Sequence, residues 1–134
     1  MKKNIIITGG NGFIGQNFLK KLSPKKFNVV NIDCLTNASD RLVNKKFKWV
    51  KFKKINLCNY KKIKDIFRSF DPDLVVNFAA HSHVDNSILN NKVFMENING
   101  THSLLENSLK IFQKKKKNLN IYKFLPMRFL GRSK

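Results

Sequence analysis

Short apolar runs alternate along this chain with stretches in which apolar residues recur every three to four positions. The runs predict β-strands buried on both faces, because such strands are apolar throughout rather than at every second residue. Four clear runs are Ile5–Thr8, Phe27–Asp33, Phe47–Phe52 with Trp49, and Asp73–Ala80. A further run, Asn118–Leu125, is a weaker candidate for a fifth strand.

Three helices are predicted between and after these runs. Ile14, Phe18 and Leu22 recur at helical spacing, and Pro24 follows where that helix should end. The apolar faces of the second and third helices comprise Ile63, Ile66, Phe67 and Phe70, and Phe94, Ile98, Thr101, Leu105 and Phe112. Strands that alternate with helices predict an α/β fold with a doubly wound parallel sheet and right-handed crossovers.

The length and composition fit one globular domain. The 134 residues can bury a single core, and 42% of them are hydrophobic, which is ordinary for a folded domain. The formal net charge of +19, from 27 basic and 8 acidic residues, can indicate a nucleic-acid or membrane-surface binder. The lysines are scattered through every segment, however, without an arginine-rich stripe interleaved with aromatics. We therefore expect no specific nucleic-acid partner, and keep a non-catalytic basic nucleic-acid-binding module as the alternative from another class.

The cysteines and histidines do not predict a metal site. Cys34 and Cys58 are far apart in the sequence, and His81 and His83 have no third ligand at metal-binding spacing. Free thiols indicate a reducing compartment. The apolar run after Met1 is too short for a signal peptide or a membrane span, so we expect a cytoplasmic protein without a membrane partner.

A glycine-rich turn follows the first predicted strand. Gly9, Gly12 and Gly15 in the segment TGGNGFIG are spaced by three residues between a buried strand and an amphipathic helix. The first glycine permits the tight turn, the second lets a pyrophosphate approach the backbone, and the third lets the helix pack close to the sheet. The free N–H groups at the helix N-terminus then face the phosphates. This context predicts a Rossmann-type dinucleotide-binding domain.

Asp33 ends the second predicted strand, where a carboxylate meets the adenosine ribose of a bound dinucleotide. A carboxylate accepts hydrogen bonds from the ribose hydroxyls and repels a 2′-phosphate, so Asp33 favours NAD over NADP. The alternative interpretation is a solvated aspartate at the end of a strand.

Three further segments carry a family resemblance: VVNIDCLTNAS from Val29, FAAHSHVDNSI from Phe78 and ENINGTHSLLE from Glu96. Together with TGGNGFIG they resemble the NAD-dependent sugar-nucleotide epimerases and dehydratases of the extended short-chain dehydrogenase/reductase group. Within that group they are most similar to the dTDP-glucose 4,6-dehydratases, and another NAD-dependent sugar-nucleotide dehydratase or epimerase is the alternative. The resemblance runs from Lys3 to about Lys116 and implies NAD as the cofactor, a nucleotide-sugar substrate and a homodimer.

The resemblance also implies roles for individual residues. At the cofactor, besides Gly9, Gly12 and Gly15, it implies that the pyrophosphate lies against Phe13 and Ile14, and that the adenosine ribose is held by Asp33, Cys34, Leu35 and Thr36. The adenine is implied at Asn56 and Leu57, and the nicotinamide at Phe78, Ala79, Ala80 and Ser82. The helix that borders the cofactor carries Asn97 and Thr101. His83 and Asp85 are implied on the substrate side. The sequence departs from the family's usual residues at Asn56, His81, Asn86 and Glu96.

The catalytic residues that the resemblance implies are not found in the sequence. Family members use a Tyr-x-x-x-Lys motif to abstract the 4-hydroxyl proton while NAD takes the hydride, and an Asp–Glu pair after the fifth strand to eliminate water. Tyr60–Lys64 fits the first motif but precedes the fourth strand, on the wrong crossover. We therefore expect the 134-residue chain to contain no catalytic residue and to be inactive, a truncated lyase that at most holds its cofactor.

The last residues interrupt the pattern, because residues 118–134 contain apolar positions without a helical or strand period. Synonymous codons for Lys117–Arg132 permit a shifted reading, KFKYIQISTDEVFGS, which supplies a fifth strand and the expected Asp–Glu pair. A string of adenines that encodes Lys114–Lys117 is where a base would be gained or lost. We therefore expect residues 1–117 to form the incomplete NAD-binding domain and residues 118–134 to be an out-of-frame or disordered basic tail.

Overall fold

A single parallel sheet forms the centre of the structure. The computed structural model describes residues 1–37, 39–80, 91–115 and 121–123. The strands are β1 (Lys3–Thr8), β2 (Phe27–Asp33), β3 (Lys51–Lys54), β4 (Leu74–Asn77) and β5 (Ile121–Lys123). Their order is β3-β2-β1-β4-β5, and each neighbouring pair is parallel. The predicted α/β fold with a doubly wound parallel sheet is confirmed.

Helices connect the strands: α1 (Phe13–Lys21), α2 (Val43–Lys46), α3 (Tyr60–Phe70) and α4 (Asn91–Lys115). The predicted end of α1 shortly before Pro24 is confirmed. α3 begins after Asn59, whose side-chain oxygen accepts a hydrogen bond from the Lys62 N–H at 3.2 Å. It ends at Asp71, which has a left-handed backbone (φ 54°) just ahead of Pro72. Among the helices that the structure describes, none has both the length and the apolar character needed to cross a membrane.

Two apolar clusters, one on each face of the sheet, form the core. Successive residues of a strand point to opposite faces, so Ile5 and Ile7 pack on one side while Ile6 packs on the other. The cluster on the α1 side comprises Ile5, Ile7, Leu19, Val29, Val43 and Val76. The cluster on the α3 and α4 side comprises Ile6, Val30, Ile32, Ile63, Ile66, Phe67, Val75 and Leu104. Burial on both faces explains why consecutive residues of β1 and β2, Ile5–Ile7 and Val29–Val30, are apolar.

The third strand lies later in the sequence than predicted. The predicted bounds Phe47–Phe52 are wrong, because Phe47 caps the end of α2 and Trp49 lies in a turn, whereas β3 spans Lys51–Lys54. Phe47, Trp49 and Val50 pack against the α1-side cluster from outside the sheet. Their apolar spacing imitates a strand, while β3 lies at the edge of the sheet and carries mostly exposed lysines.

The last two strands are shorter than the runs that predicted them. β4 ends at Asn77 rather than at Ala80, because Phe78 to Ala80 leave the sheet at its carboxyl edge. β5 lies within the weak run at Asn118–Leu125 and pairs with β4, so a strand in this segment is confirmed.

The long helix after β4 is confirmed, but the apolar positions that predicted it are not its buried face. Phe112 is buried, whereas Phe94, Ile98 and Leu105 are about half exposed. The buried side of α4 carries Leu104 and small or polar residues: Gly100, Ser103, Asn107 and Ser108. Hydrophobic periodicity misses such a face, because small residues let a helix approach the sheet closely without adding apolar side chains.

Candidate functional site

A cleft opens at the carboxyl edge of the sheet, beside β1 and β4, where the order in which successive strands are added reverses. Ligands of open α/β sheets bind at this switch point. The cleft holds about 740 Å³ of empty space, a volume that includes open solvent. Its walls are formed by Gly9, Gly12, Ile32, Asp33, Cys34, Thr36, Ser39, Ile55, Asn56, Leu57, Phe78, Ala79, Ala80, Glu96, Asn97, Gly100 and Thr101.

Two glycines shape the loop that joins β1 to α1. Gly9 has a φ of +68°, in the left-handed region, and a Cβ at this position would lie 2.6 Å from the Ala79 nitrogen. A Cβ on Gly15 would lie 2.2 Å from the Gly9 carbonyl oxygen. The first glycine is therefore required by the turn, and the second by the close approach of α1 to the loop.

The N-terminus of α1 presents main-chain donors at the edge of the cleft. Gly12 is the N-cap of this helix and lines the cleft, and among the described residues no side chain caps it. The N–H groups of a first helical turn have no partner within the helix, and the helix dipole adds partial positive charge there. This arrangement suits an anion such as a phosphate. The side chains of Phe13 and Ile14 are 78% and 56% exposed and lie outside the cleft wall.

The carboxylate of Asp33 joins the glycine loop to the segment that follows β2. Its Oδ2 accepts a hydrogen bond from the Asn11 N–H at 3.0 Å. Its Oδ1 accepts from the Leu35 N–H at 2.8 Å and from the Ser39 hydroxyl at 3.0 Å. The residue is only 6% exposed yet lines the cleft. The alternative of a solvated strand-end aspartate is therefore wrong, and a carboxylate with about four acceptor positions retains one for a ligand hydroxyl.

The turn after Asp33 is strained and brings its neighbours into the cleft. Leu35 has a φ of 59°, which is uncommon for a residue with a side chain, and its N–H bond to Asp33 holds it there. Cys34 and Thr36 on either side line the cleft, whereas Leu35 is not part of its wall. Burial raises the pKa of the Cys34 thiol, and the negative charge of Asp33 raises it further. Cys34 is thus a neutral thiol at neutral pH.

The opposite wall is held by a buried side-chain pair at the ends of β1 and β4. The Thr8 hydroxyl donates a hydrogen bond to Oδ1 of Asn77, and the same oxygen accepts from the Ala79 N–H at 3.1 Å. The Phe78 N–H also donates to the Thr8 carbonyl at 2.9 Å. These bonds fix Phe78 to Ala80 as they leave the sheet, and all three residues line the cleft.

The third wall is formed by α4 and the loop after β3. A Cβ on Gly100 would lie 3.0 Å from Cβ of Leu57, so the helix and the loop are in close contact at this glycine. Asn56, which stands where the resemblance leads us to expect an acid, accepts a hydrogen bond from the Cys58 N–H at 2.9 Å and stabilises the turn. Asn97 and Thr101, one helical turn apart, face the same cleft.

Eleven of the sixteen residues predicted at the cofactor line one cleft: Gly9, Gly12, Asp33, Cys34, Thr36, Asn56, Leu57, Phe78, Ala79, Ala80 and Asn97. Thr101, implied on the bordering helix, lines it too. Four residues lie outside its wall: Phe13, Ile14, Gly15 and Leu35. Ser82, His83 and Asp85 lie outside the residues that the structure describes, as do His81 and Asn86.

Sequence reasoning assigned no role in the site to Ile32, Ser39, Ile55, Gly100 or Glu96, which also line the cleft. One available signal was the helical spacing of Gly100 from Asn97, which puts both on one face of α4. Ser39 carried no such signal, because its role depends on the fold of the loop. Within the described residues no group of three or more candidate metal ligands occurs. The Tyr60 hydroxyl accepts a hydrogen bond from the Lys110 ammonium at 2.8 Å and is not in the cleft wall.

Comparison of the sequence with known families and proteins gives consistent matches. The model of the family described as GDP-mannose 4,6 dehydratase matches residues 6–124. A dTDP-glucose 4,6-dehydratase of Haemophilus influenzae is 40% identical over 109 residues, which cover 77% of this chain and 32% of that protein. The dTDP-glucose 4,6-dehydratase 1 of Escherichia coli K12 is 39% identical over 108 residues, which cover 76% of this chain and 30% of that protein. The chain thus spans about a third of the length of the curated relatives it matches.

Solved structures match the same part of the chain. A UDP-glucose 4-epimerase of Thermotoga maritima superposes with a TM-score of 0.73 and 29% identity, covering 81% of this chain and 34% of that one. A dTDP-glucose 4,6-dehydratase of Bacillus anthracis, in complex with NAD, superposes with a TM-score of 0.68 and 28% identity, and the match covers 90% of this chain and 36% of that one. A Thermus thermophilus UDP-glucose 4-epimerase in complex with NAD superposes with a TM-score of 0.71 and 28% sequence identity, and the match covers 81% of this chain and 34% of that one.

Proposed function

This chain belongs to the GDP-mannose 4,6 dehydratase family, and on that premise we propose that its cleft binds NAD as the cofactor-binding part of a dTDP-glucose 4,6-dehydratase. The observation that carries the proposal is the position of Asp33. Its carboxylate lines the cleft while it holds the Asn11 N–H of the glycine loop, so ribose recognition and phosphate recognition are fixed to each other. Solved relatives of the same fold are described as complexes with NAD.

The proposed orientation of NAD follows from the chemistry of each wall. The pyrophosphate would contact the main-chain N–H groups at Phe13 and Ile14, which belong to the first turn of α1 and have no partner within the helix. The adenosine ribose would donate a hydroxyl proton to Asp33. We assign the adenine to Asn56 and Leu57, and the nicotinamide to Phe78, Ala79 and Ala80 beside Asn97. Ser82 at the nicotinamide, and His83 and Asp85 on the sugar side, remain predictions outside the described residues.

Gly12 supports this orientation for a steric reason. A Cβ there would lie 3.3 Å from the Gly9 carbonyl oxygen, the one described heavy atom near it. The loop itself therefore tolerates a small side chain at this position far better than at Gly9 or Gly15. The space that Gly12 leaves open is space on the cleft side, where a pyrophosphate would approach.

The experiment that tests the proposal compares NAD with NADP by calorimetric titration of the 134-residue chain. We expect NAD to bind at one site and NADP to bind at least about tenfold more weakly, because Asp33 repels the 2′-phosphate. Asp33→Asn should lose most of this discrimination. Asp40→Asn is the matched control, since that carboxylate lies near the same loop but pairs with Lys46 outside the cleft. Equal affinity for NAD and NADP would contradict the proposal.

We further propose that the reaction is the dehydration of dTDP-glucose to the 4-keto-6-deoxy sugar nucleotide, and that the 134-residue chain alone does not perform it. NAD supplies the hydride acceptor in such chemistry. The motif at Tyr60–Lys64 does not replace the missing base, because Tyr60 pairs with Lys110 away from the cleft. The test is to incubate the purified chain with dTDP-glucose and to measure the product by chromatography. Detectable conversion would overturn this proposal. The alternative, another sugar nucleotide, is tested in the same assay with UDP- and GDP-linked sugars.

The proposed domain bounds follow from the same expectation. We propose that residues 1–117 are the NAD-binding domain and that residues 118–134 are read out of frame, even though β5 (Ile121–Lys123) pairs with β4. The shifted reading KFKYIQI also has the apolar character of a strand, so β5 is compatible with both readings. Resequencing the coding DNA across the codons for Gln113 to Arg132 tests this proposal: DNA whose shifted frame does not encode KFKYIQISTDEVFGS would refute it. With both cysteines free, we place the protein in the reducing cytoplasm.

A further inference from the structure

Two buried asparagines meet where the glycine loop packs on the sheet, a place where an apolar core would be expected. Asn31 is in the middle of β2 and Asn11 follows Gly10 in the loop, and each side chain is 0% exposed. Asn31 is on the face of β2 that otherwise packs Val29 against the α1-side cluster. Burying an amide is costly unless its donors and acceptor are paired, so its partners indicate what it does.

The partners of Asn31 are all in the loop. Its Oδ1 accepts a hydrogen bond from the Gly10 N–H at 3.0 Å, and its Nδ2 donates to Oδ1 of Asn11 at 2.8 Å. Asn11 in turn donates from Nδ2 to the Asp40 carbonyl at 2.8 Å and from its main-chain N–H to Asp33. One buried amide thus connects the glycine loop to the strand below it and, through Asn11, to both ends of the segment from Asp33 to Asp40.

The loop rests on this amide with no space between them. A Cβ on Gly10 would lie 2.3 Å from Oδ1 of Asn31 and 2.6 Å from its Cγ. The Gly10 and Asn11 N–H groups both point inward, to Asn31 and Asp33, and are not available to a ligand. The donors left for the cleft are those that follow Gly12, at the start of α1.

We propose that Asn31 is a positioning residue for the phosphate subsite, acting through Gly10 and Asn11 to fix the loop before any ligand arrives. This inference rests on the proposed function, because it assumes that the loop receives the pyrophosphate of NAD. Preorganised donors bind an anion more tightly than donors that must first be ordered. Asn31 touches no ligand in this assignment, so its effect is on the geometry of the loop.

The test separates the phosphate subsite from the adenosine subsite. Asn31→Leu keeps the branching of the side chain at Cγ, with a larger volume, and removes the partners of the Gly10 N–H and of Oδ1 of Asn11, whereas Nδ2 of Asn11 keeps its bond to the Asp40 carbonyl. We expect its affinity for NAD and ADP-ribose to fall about tenfold or more, while the affinity for adenosine changes less than about twofold. Asn28→Leu is the matched control, because Asn28 is an amide of the same strand that bonds to Asn4 far from the loop. An equal loss for adenosine and NAD would indicate a merely structural role and overturn the inference.

A second variant covers the case in which Asn31→Leu does not fold. A protonated aspartic acid at position 31 can accept from the Gly10 N–H and donate to Asn11, as the amide does, whereas the carboxylate cannot donate. The ionisable groups joined to this network are Asp33, through the Asn11 N–H, and Asp40, which faces Lys46. For Asn31→Asp, relative to the wild type, we therefore expect NAD affinity to recover as the pH falls from 8 to 5. If the ratio of the NAD affinity of Asn31→Asp to that of the wild type stays constant across this pH range, the inference is contradicted.

Failure of the inference is distinguishable from failure of the proposed function. If the wild-type chain binds none of NAD, ADP-ribose and adenosine, the proposed function fails and the assignment of a phosphate subsite to Asn31 fails with it. If the wild type binds NAD and Asn31→Leu binds it equally well, only the inference fails. Amide hydrogen exchange of the ligand-free chain gives a further readout: the Gly10 N–H should exchange much faster in Asn31→Leu than in Asn28→Leu, and unchanged protection would overturn the inference.

Discussion

At the scale of single residues, the site depends on side chains that hold other parts of the chain as well as a ligand. Asp33 accepts three hydrogen bonds from the loops on either side of it before any ribose is present. Its type and position at the end of a strand were readable from the sequence. The partners Asn11, Leu35 and Ser39 were not, because they meet Asp33 only once the glycine loop and the segment after β2 fold towards each other.

Cys34 provides a residue-scale prediction. It lines the cleft and its pKa is raised, chiefly by burial, so its alkylation should accelerate as the pH rises beyond the usual thiol range, where the thiolate forms. Saturating NAD should slow alkylation of Cys34 by iodoacetamide, measured by peptide mass spectrometry. Cys58 is the internal control, since it is exposed and outside the cleft wall, although burial also raises its pKa. Equal protection of both thiols would argue against a ligand in this cleft.

At the scale of elements, the glycines of the first turn differ in what requires them. Gly15→Ala places a Cβ 2.2 Å from a backbone oxygen, so α1 must move away from the loop. We expect a loss of stability of about 1–3 kcal/mol, as for other overpacked sites. Gly12→Ala needs a shift of only a few tenths of an ångström, so it should remain nearly as stable as the wild type while binding NAD several-fold more weakly.

Chemical denaturation and NAD titration of the two variants, side by side, separate these roles. Loss of stability in Gly12→Ala as large as in Gly15→Ala would mean that Gly12 serves the fold rather than the ligand. Gly100→Ala is a useful third variant, because a Cβ there would lie 3.0 Å from Cβ of Leu57, a longer distance than at Gly15, although that atom is held by the loop backbone. We expect its stability to lie between the other two.

Most elements were predictable, because burial on both faces gives β1, β2 and β4 runs of consecutive apolar residues. β3 was not, since it lies at the sheet edge with exposed lysines, while Phe47 and Trp49 pack on the core from a helix end and a turn. The buried face of α4 was missed for a related reason. Where a helix lies close to a sheet, Gly100 and Ser103 replace large apolar residues, and the hydrophobic pattern no longer marks the inside.

At the scale of the whole molecule, the fold class followed from the alternation of strands and helices, whereas the strand order, which sets the place of the cleft, is known from the structure. What the sequence did not decide is how the charge of +19 is used. Exposed lysines on β3 suit the protection of an open sheet edge, and the same charge attracts any polyanion with strong dependence on salt. To distinguish NAD binding in the cleft from general attraction of anions, a measurement must therefore show which residues the ligand contacts, and not its affinity alone.

The measurement that separates them is a titration of the isotope-labelled chain with NAD, followed through its backbone amide NMR signals at physiological salt. We predict saturable shifts confined to the cleft: the glycine loop from Gly9 to Gly15, Asp33–Thr36, Asn56 and Leu57, Phe78–Ala80 and Asn97, with the Lys51–Lys54 signals unchanged. Shifts that spread over β3 and other lysine-rich surfaces, that grow without saturation, or that are equal for NAD and inorganic pyrophosphate would contradict the assignment of this cleft to NAD.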